Sequence, residues 1–216
     1  MSEPTATTTP RERYRRQVRE EIKQRAREQI AAAGTSALSL NKIAKQMGLS
    51  GAGLYRYFTG RDELLAELVR DAYQSLVDAF RAAAGRDEGD LDGLAHTLRA
   101  WALDDPQRYF LVYGPPVPGY RAPVDLSLKM AEVMSLIVSA SDADPGSSPG
   151  APSTVSLSAG KDRAPASPTR LALAFWTRLH GILSLELSGH FLGMGFDPAQ
   201  LYENELELLR PAEHQH

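Results

Sequence analysis

The sequence predicts an all-α fold in two parts: an N-terminal three-helix head with a helix-turn-helix, and a larger C-terminal helical domain. Three observations support this prediction. Apolar residues recur at three- and four-residue spacing over most of the chain, no segment of useful length alternates as a strand does, and Gly and Pro punctuate the helical segments. A chain of 216 residues can form one or two modest domains with a proper core.

The N-terminal segment combines a polar tail with a predicted helix. Residues 1–14, rich in Thr and then in Arg, are predicted to form a disordered basic arm. Helical spacing extends from residue 11 to 33, and Gly34 fits the position just past a helix end. Cations at a helix N-terminus oppose the helix dipole, so we interpret the early arginines as facing a polyanion. These are Arg11, Arg13, Arg15, Arg16 and Arg19.

Residues 39–58 predict two short helices joined by a tight turn. Ser39 and Ser50 are placed to cap the two helices, and Gly48 supplies the permissive backbone of the turn between them. The apolar face of the pair is Leu40, Ile43, Ala44, Met47, Leu54 and Phe58. This arrangement is typical of a helix-turn-helix that binds DNA.

The remaining chain predicts a helical body. We expect helices over 61–84, 91–103, from Pro106 to about 113, over 124–138, 169–192 and 198–209. The proline-rich segment 114–123 is predicted to be an extended connector, and the Ser/Pro/Gly-rich segment 139–168 a mobile loop. The helix at 169–192 is apolar on more than one face, which favours burial on two sides, one of them in a homodimer. One candidate seam of that homodimer is Leu183, Leu187 and Phe191, which are spaced by four, with Leu201 and Leu208 of the last helix opposing it.

Composition limits the class of protein. There is no cysteine, no run of the roughly 18 apolar residues that a membrane span needs, and no secretory signal. The five histidines show no metal-ligand spacing. No nucleophile–base pair or phosphate-binding glycine loop indicates an enzyme. We therefore expect a cytoplasmic, non-enzymatic protein that has no cofactor, no metal and no membrane partner.

Charge is distributed unevenly along the chain. Residues 1–70 hold 13 Lys+Arg against 8 Asp+Glu, a net charge of +5, whereas residues 71–216 hold 11 against 19, a net charge of −8. A basic head on an acidic body is what a protein with one polyanion-binding end should show. Charge runs are also found on faces that are merely solvated, so this indication depends on the helix-turn-helix beside it.

Two segments resemble the TetR family of transcriptional regulators. The first runs from Ile43 to Phe58 through Gly48-Leu49-Ser50 and Leu54-Tyr55-Arg56-Tyr57, with Arg61 and Leu64-Leu65 beyond it. The usual pattern has His where Tyr57 stands and Lys where Arg61 stands. The second, Trp176-Thr177-Arg178-Leu179-His180-Gly181, resembles a TetR subgroup with a Trp-x-x-x-His-Gly signature. The resemblance implies a DNA-binding domain over 15–62 and a ligand-binding and dimerisation domain over 63–216.

The candidate DNA contacts lie on and around the second short helix. N-terminal residues of a recognition helix reach base edges in the major groove, and Arg56 suits a bidentate contact to guanine. Tyr55, Lys42, Arg61 and the Ser39 cap would contact phosphates. Tyr57 could instead close the small core of the head. The full set is Ser39, Lys42, Ser50, Ala52, Gly53, Tyr55, Arg56, Tyr57 and Arg61.

The candidate ligand site consists of the large side chains of the body, together with the one titratable group in its most apolar helix. Such residues at helical spacing are more often plain core, but bundle proteins also place apolar pockets between their helices. The set is Trp101, Tyr109, Phe110, Tyr113, Met130, Met134, Phe175, Trp176 and His180. His180 could also be a core histidine with one hydrogen bond.

These observations predict a homodimeric transcriptional regulator, most simply a repressor. It would bind a pseudo-palindromic operator in double-stranded DNA and be released by a small hydrophobic effector. The alternative is a helical adaptor that binds proteins and not DNA. A salt-dependent DNA mobility shift distinguishes the two.

Overall fold

The computed structural model describes residues 9–86, 89–114, 120, 124–143 and 168–210. Throughout these residues the regular structure is helical and contains no strand, which confirms the all-α prediction. The helices are α1 (Pro10–Ala33), α2 (Leu40–Gln46), α3 (Gly51–Leu54), α4 (Arg61–Ala84), α5 (Leu91–Asp104), α6 (Pro106–Tyr113), α7 (Val124–Ala143), α8 (Pro168–Leu187) and α9 (Pro198–Glu207). Two compact units divide within α4, between Asp71 and Ala72.

The first helix of unit 1 starts earlier than the sequence predicts. The Thr9 N–H donates to the Glu12 carboxylate (2.8 Å), and the Glu12 N–H donates to the Thr9 hydroxyl (3.3 Å). This capping box, with Pro10 in the first turn, begins α1 at residue 10. The predicted disordered arm over 1–14 is therefore wrong for residues 10–14, and residues 1–8 lie outside the described part of the chain.

The helix-turn-helix of unit 1 has the predicted caps and turn. The Ser39 hydroxyl accepts from the Lys42 N–H (3.4 Å), and the Ser50 hydroxyl accepts from the Gly53 N–H (3.0 Å). Gly48 joins the two helices with φ of +65°, a conformation that glycine adopts without strain. The core beneath them is fully buried and apolar: Ile22, Ala26, Ile43, Leu54, Phe58, Leu64 and Leu65.

Helix α3 is shorter than the predicted recognition helix. It ends at Leu54, so Tyr55, Arg56 and Tyr57 lie in the turn that follows and not on a continuing helical face. The physical reason lies in the sequence of this helix, Gly-Ala-Gly-Leu, because each glycine lowers helix stability by roughly 1 kcal/mol relative to alanine.

Unit 2 packs α5 to α9 and the second half of α4 around one core. Ring and leucine side chains from five of these helices are almost completely buried, including Phe80, Leu98, Tyr109, Phe175 and Tyr202. The Tyr202 hydroxyl donates to the Ala95 carbonyl (2.8 Å), which ties α9 to α5. Asp90 and Asp105 cap α5 and α6, and Pro106 opens α6 as predicted.

Helix α7 differs from its predicted end. It continues to Ala143, so the predicted mobile loop over 139–168 is wrong for residues 139–143. The Ser139 and Ser141 hydroxyls donate back to carbonyls one turn earlier (3.0 and 2.8 Å), and Ser141 is completely buried. Local hydrogen bonds thus satisfy both hydroxyls within a helix that composition alone would not predict. Residues 144–167 of that loop lie outside the described residues, as does most of the predicted connector 114–123.

Helix α8 starts one residue early and ends five residues early. It begins at Pro168 and stops at Leu187, and a series of turns over 188–196 then leads to α9. Three glycines in that segment, Gly189, Gly193 and Gly195, have positive φ, which a helix does not accommodate. The prediction of helix over 188–192 is therefore wrong. No helix in the described part of the chain is long and apolar enough to cross a lipid bilayer.

Candidate functional site

The outer surface of the helix-turn-helix presents polar side chains that the fold leaves unused. Lys42 and Arg56 are exposed, and no hydrogen bond or ion pair with another described residue holds either side chain. Tyr55 is 52% exposed, and Ala52 and Ser50 are exposed beside it. A cation and an aromatic hydroxyl in this position are free to contact an external polyanion.

Other members of the predicted DNA-contact set have internal roles. The hydroxyls of Ser39 and Ser50 accept from the amides of their own helices, and Gly53 supplies one of those amides. The Arg61 guanidinium donates to the Thr35 carbonyl (2.9 Å) and lies 3.8 Å from the Asp62 carboxylate. These groups therefore stabilise the helices and turns of the helix-turn-helix through hydrogen bonds within the chain.

Arg19 is used by the fold and does not face a polyanion. Its guanidinium donates to the Tyr57 carbonyl and to the Glu67 carboxylate, and it lies over the Phe58 ring, 4.1 Å from the centroid. The interpretation of Arg19 as a phosphate-facing residue is therefore wrong. Instead it joins α1 to α4 and holds the turn that carries Tyr57, which is itself half-buried.

The same unit contains a buried lysine that the sequence did not predict. Lys23 is 7% exposed and pairs with Glu20 (2.6 Å) and Asp71 (2.8 Å). Burial lowers the pKa of Lys23, but the hydrogen bonds to Asp71 and Glu20 outweigh burial and raise it. The one available signal was its position, since Lys23 follows Ile22 on the buried stripe of α1.

In unit 2 the structure brings four members of the predicted ligand set into one ring cluster, which we call the Tyr/His cluster: Tyr109, Tyr113, Trp176 and His180. The His180 ring lies 4.0 Å from Trp176, 4.4 Å from Tyr113 and 5.6 Å from Tyr109, measured between centroids. The Tyr109 hydroxyl is 3.1 Å from His180 Nδ1 and 3.3 Å from the His180 carbonyl. Tyr113, Trp176 and His180 each keep part of their surface exposed.

Tyr73 of α4 joins this cluster and was missed in the sequence. Its ring meets that of Tyr113 edge to face, with centroids 6.0 Å apart. Sequence spacing gave a weak signal, because Tyr73 lies on α4 one turn before Leu76, which is fully buried.

The other predicted ligand residues have different environments. Phe175 is completely buried in the core, and Trp101 is nearly so, with its Nε1–H donating to the Ser75 hydroxyl (2.9 Å). Phe110 meets the far side of Tyr109 edge to face, at 5.5 Å. Met134 packs against the core, and Met130 is half-buried with no ring contact or hydrogen bond to the Tyr/His cluster among the described residues.

Burial favours the uncharged form of every titratable side chain in the Tyr/His cluster. It lowers the pKa of His180 to about 3 and raises the pKa of Tyr109 to about 12. Burial also raises the pKa of Tyr73 and, far more, that of Tyr113, which the neighbouring hydroxyls of Tyr73 and Tyr109 raise further. At neutral pH the imidazole and the three phenols are therefore all uncharged.

Two family models match the chain. One, described as the tetracyclin repressor-like C-terminal domain, matches residues 91–209, which is more than half of the chain. The other, described as bacterial regulatory proteins of the tetR family, matches residues 22–68 and covers the helix-turn-helix. The chain belongs to the TetR family. This family consists of transcriptional regulators and is not enzymatic, which confirms the prediction that the chain is not an enzyme.

Individual relatives of this TetR-family chain agree with that assignment. HTH-type transcriptional regulators Rv1816 of Mycobacterium tuberculosis and Mb1846 of Mycobacterium bovis are each 39% identical over 124 residues, 54% of this chain and 52% of theirs. The chain thus spans about half the length of these curated relatives. The crystal structure of regulatory protein SCO4313 is 57% identical, covers 93% of this chain and 98% of its own, and has a TM-score of 0.81.

A more distant solved structure shares the fold alone. Transcriptional regulator FadR from Bacillus subtilis, solved in complex with stearoyl-CoA, is 16% identical and has a TM-score of 0.58. The match covers 90% of this chain and 99% of that one.

Proposed function

We propose that this chain is a homodimeric, cytoplasmic repressor that binds a pseudo-palindromic operator and is released by a small uncharged, hydrophobic effector. Residues 15–62 bind DNA, and residues 63–216 bind the effector and the second subunit. The observation that carries the DNA-binding role is the doubly capped helix-turn-helix, whose outward Lys42, Tyr55 and Arg56 side chains are exposed.

We propose different roles for the two exposed cations of this surface. Arg56 lies exposed in the turn just after α3 and is proposed to reach a base edge, where a bidentate contact to guanine specifies sequence. Lys42 lies on α2, the helix that crosses the backbone in this motif, and contributes affinity through phosphate.

The direct test is selection of binding sites from random DNA with the full-length protein. We expect an enriched motif with two inverted half-sites about one helical turn apart, and an affinity that falls steeply as salt rises. An absence of any salt-dependent mobility shift, on selected or random duplexes, would favour the adaptor function over this proposal.

The dimer is proposed from apolar side chains that unit 2 leaves exposed. Helices α8 and α9 pack together, are joined by the Arg178–Glu205 ion pair (3.4 Å), and expose Leu185 (44%) and Leu208 (69%). We propose that these exposed leucines belong to an interaction surface, which a second copy of the same pair of helices covers by two-fold symmetry.

The sequence-based seam needs one correction. Leu183 is completely buried inside its own subunit, and Phe191 lies beyond the end of α8 with its ring 5.0 Å from that of Phe196. The proposed seam of Leu183, Leu187 and Phe191 therefore cannot form one face of a helix. We propose that Leu185 takes its place, whereas Leu208 keeps the role that the sequence predicted for it.

Leu185→Asp tests this interface. A charge buried at the two-fold axis in each half of the dimer should produce monomers in sedimentation and weaken operator binding. The matched control is Leu128→Asp, because Leu128 is also exposed (70%) but belongs to α7. If both variants sediment as normal dimers, the interface lies elsewhere.

The effector is proposed to occupy the Tyr/His cluster, and the Trp-x-x-x-His-Gly signature is proposed to mark a subgroup that uses this site. The FadR structure holds stearoyl-CoA, whose phosphates are anionic. No cation of the described residues contacts the Tyr/His cluster, so we propose an uncharged effector here. A screen of uncharged apolar compounds for release of the selected operator tests this step.

A further inference from the structure

The Tyr/His cluster contains two buried polar atoms that the fold leaves without a hydrogen bond. His180 Nε2 and the Tyr113 hydroxyl have almost no exposed surface and no partner among the described residues. Their rings lie 4.4 Å apart between centroids. A buried polar atom without a partner lowers stability by about 1–3 kcal/mol, so two in one cluster need an explanation.

These two atoms differ from three other buried polar atoms that have no partner among the described residues. Arg25 Nε, Arg108 Nε and Gln29 Nε2 belong to side chains whose other polar atoms are bonded, to Glu28, the Trp101 carbonyl and the Ser39 N–H. The Tyr113 side chain has a single polar atom, and it has no partner. Its pKa responds to the hydroxyls of Tyr73 and Tyr109, so the three hydroxyls lie within electrostatic range of one another.

The hydrogen bonds within the cluster determine whether its unpartnered atoms can donate or accept a hydrogen bond from a ligand. The Tyr109 hydroxyl has one proton and faces both His180 Nδ1 and the His180 carbonyl. If it donates to Nδ1, then Nε2 carries the imidazole proton and is a donor. If it donates to the carbonyl and accepts from Nδ1–H, then Nε2 is an acceptor. A phenol hydroxyl both donates and accepts. A ligand group that both donates and accepts hydrogen bonds therefore matches the cluster whether His180 Nε2 is a donor or an acceptor.

Charge excludes the ionised alternatives. No carboxylate, ammonium or guanidinium group of the described residues contacts His180 or Tyr113, and none shifts the pKa of either group. A carboxylate or ammonium ligand placed here would lose its hydration without gaining a counter-charge, which is strongly unfavourable. Trp176 and the tyrosine rings offer apolar faces around the polar atoms.

We propose that the Tyr/His cluster is a binding site for an uncharged aromatic or alicyclic alcohol, whose hydroxyl hydrogen-bonds with His180 Nε2 and the Tyr113 hydroxyl while its ring packs against Trp176. This inference rests on the proposed ligand-responsive function and names the chemical class of the effector.

The first test measures stability without any ligand. Tyr113→Phe removes a hydroxyl that the fold leaves unpaired, so the unfolding temperature should stay the same or rise. The matched control, Tyr202→Phe, removes a buried hydroxyl that donates to the Ala95 carbonyl, and should lower the unfolding temperature by about 2–4 °C. Equal losses in the two variants would mean that the Tyr113 hydroxyl is already satisfied, by water or by protein, and would overturn the proposal.

The second test compares probes that share one ring system. 2-Naphthol, naphthalene and 2-naphthoate, and the smaller set phenol, toluene and benzoate, are titrated into the full-length protein by tryptophan fluorescence and calorimetry. The alcohol should bind about two- to tenfold more tightly than the hydrocarbon, and the carboxylate weakest. Tyr113→Phe should remove most of that preference for the alcohol, and Tyr202→Phe should retain it.

The outcomes separate this proposal from the proposed function. Three outcomes contradict the alcohol site, even where another compound releases the operator. They are equal binding of the alcohol and the hydrocarbon in both sets, preference for the carboxylate, and no binding of any probe. Binding with the alcohol preference described here, but with no compound releasing the operator, supports the site and contradicts the ligand-released repressor.

Discussion

The ion pair between Arg99 of α5 and Glu186 of α8 is predicted to be a main stabilising contact of unit 2. Arg99 Nη1 and Nη2 donate to the two oxygens of the Glu186 carboxylate, at 2.6 and 2.8 Å. The two side chains are only 14% and 17% exposed. The guanidinium also lies 5.1 Å above the Tyr202 ring. Hydrogen bonding to Glu186 raises the pKa of Arg99 despite its burial.

Arg99→Met should lower the free energy of unfolding by about 2–3 kcal/mol. Removal of one partner from a fully buried pair costs about 3–5 kcal/mol, because the other charge stays buried, and the slight exposure of this pair reduces that figure. Urea unfolding followed by tryptophan fluorescence is a suitable assay. Both tryptophans of the chain, Trp101 and Trp176, lie in unit 2, so the signal reports on that unit.

Two further variants make the prediction refutable. Arg178→Met removes an exposed arginine from the pair with Glu205 (3.4 Å) and should change stability by no more than about 1 kcal/mol. The double variant Arg99→Met/Glu186→Leu should recover most of the loss, since no charge is left unpaired. A loss below about 0.5 kcal/mol in Arg99→Met, or no recovery in the double variant, would show that the pair does not hold α5 to α8.

Three further predictions concern the two proposed sites. Arg56→Ala should weaken operator binding by about 1–3 kcal/mol and relax preference at one position per half-site, whereas Lys42→Ala should weaken all sequences alike and lower the salt slope in mobility shifts. Gly48→Ala should destabilise the helix-turn-helix by about 1–2 kcal/mol in thermal unfolding, because φ is +65°, while Gly60→Ala, with open space and no positive φ, should not. Burial lowers the pKa of His180 in the folded chain to about 3, from the usual 6.5, so the unfolded chain takes up a proton first as the pH falls. Unit 2 should therefore lose up to about 1.4 kcal/mol of stability per pH unit between pH 6.5 and 3. A urea midpoint that does not change over this pH range would contradict the burial of a neutral imidazole.

The elements that the sequence predicted well are those with local physical causes. The hydroxyls of Ser39 and Ser50 accept from amides of the helices that they were predicted to cap, and Gly34 and Gly48 have the positive φ that their turns need. Helix α4 has the predicted bounds because acidic residues at its start and a continuous apolar stripe agree with each other.

The elements that the sequence predicted badly depend on tertiary contacts. Arg19 looked like a surface cation, and only the fold brings Glu67 and Phe58 to it from far along the chain. Ser141 looked like a loop residue, but in α7 it is completely buried and its hydroxyl donates to the Ile137 carbonyl. Composition cannot show such long-range partners, so charge and polarity were taken as signs of exposure.

Each unit has residues that lower its stability, and in both units these residues lie at the proposed site. In unit 1, Gly51 weakens α3, yet a Cβ there would meet nothing within 4 Å, so packing inside the chain does not require a glycine. In unit 2, Tyr113 and His180 hold polar atoms that the fold buries without partners. A sequence whose only task was to fold would have Ala and Phe at such positions. Features that disfavour the isolated chain are expected where a second molecule supplies the compensating contact, and we propose DNA for that role at α3 and the effector at the Tyr/His cluster.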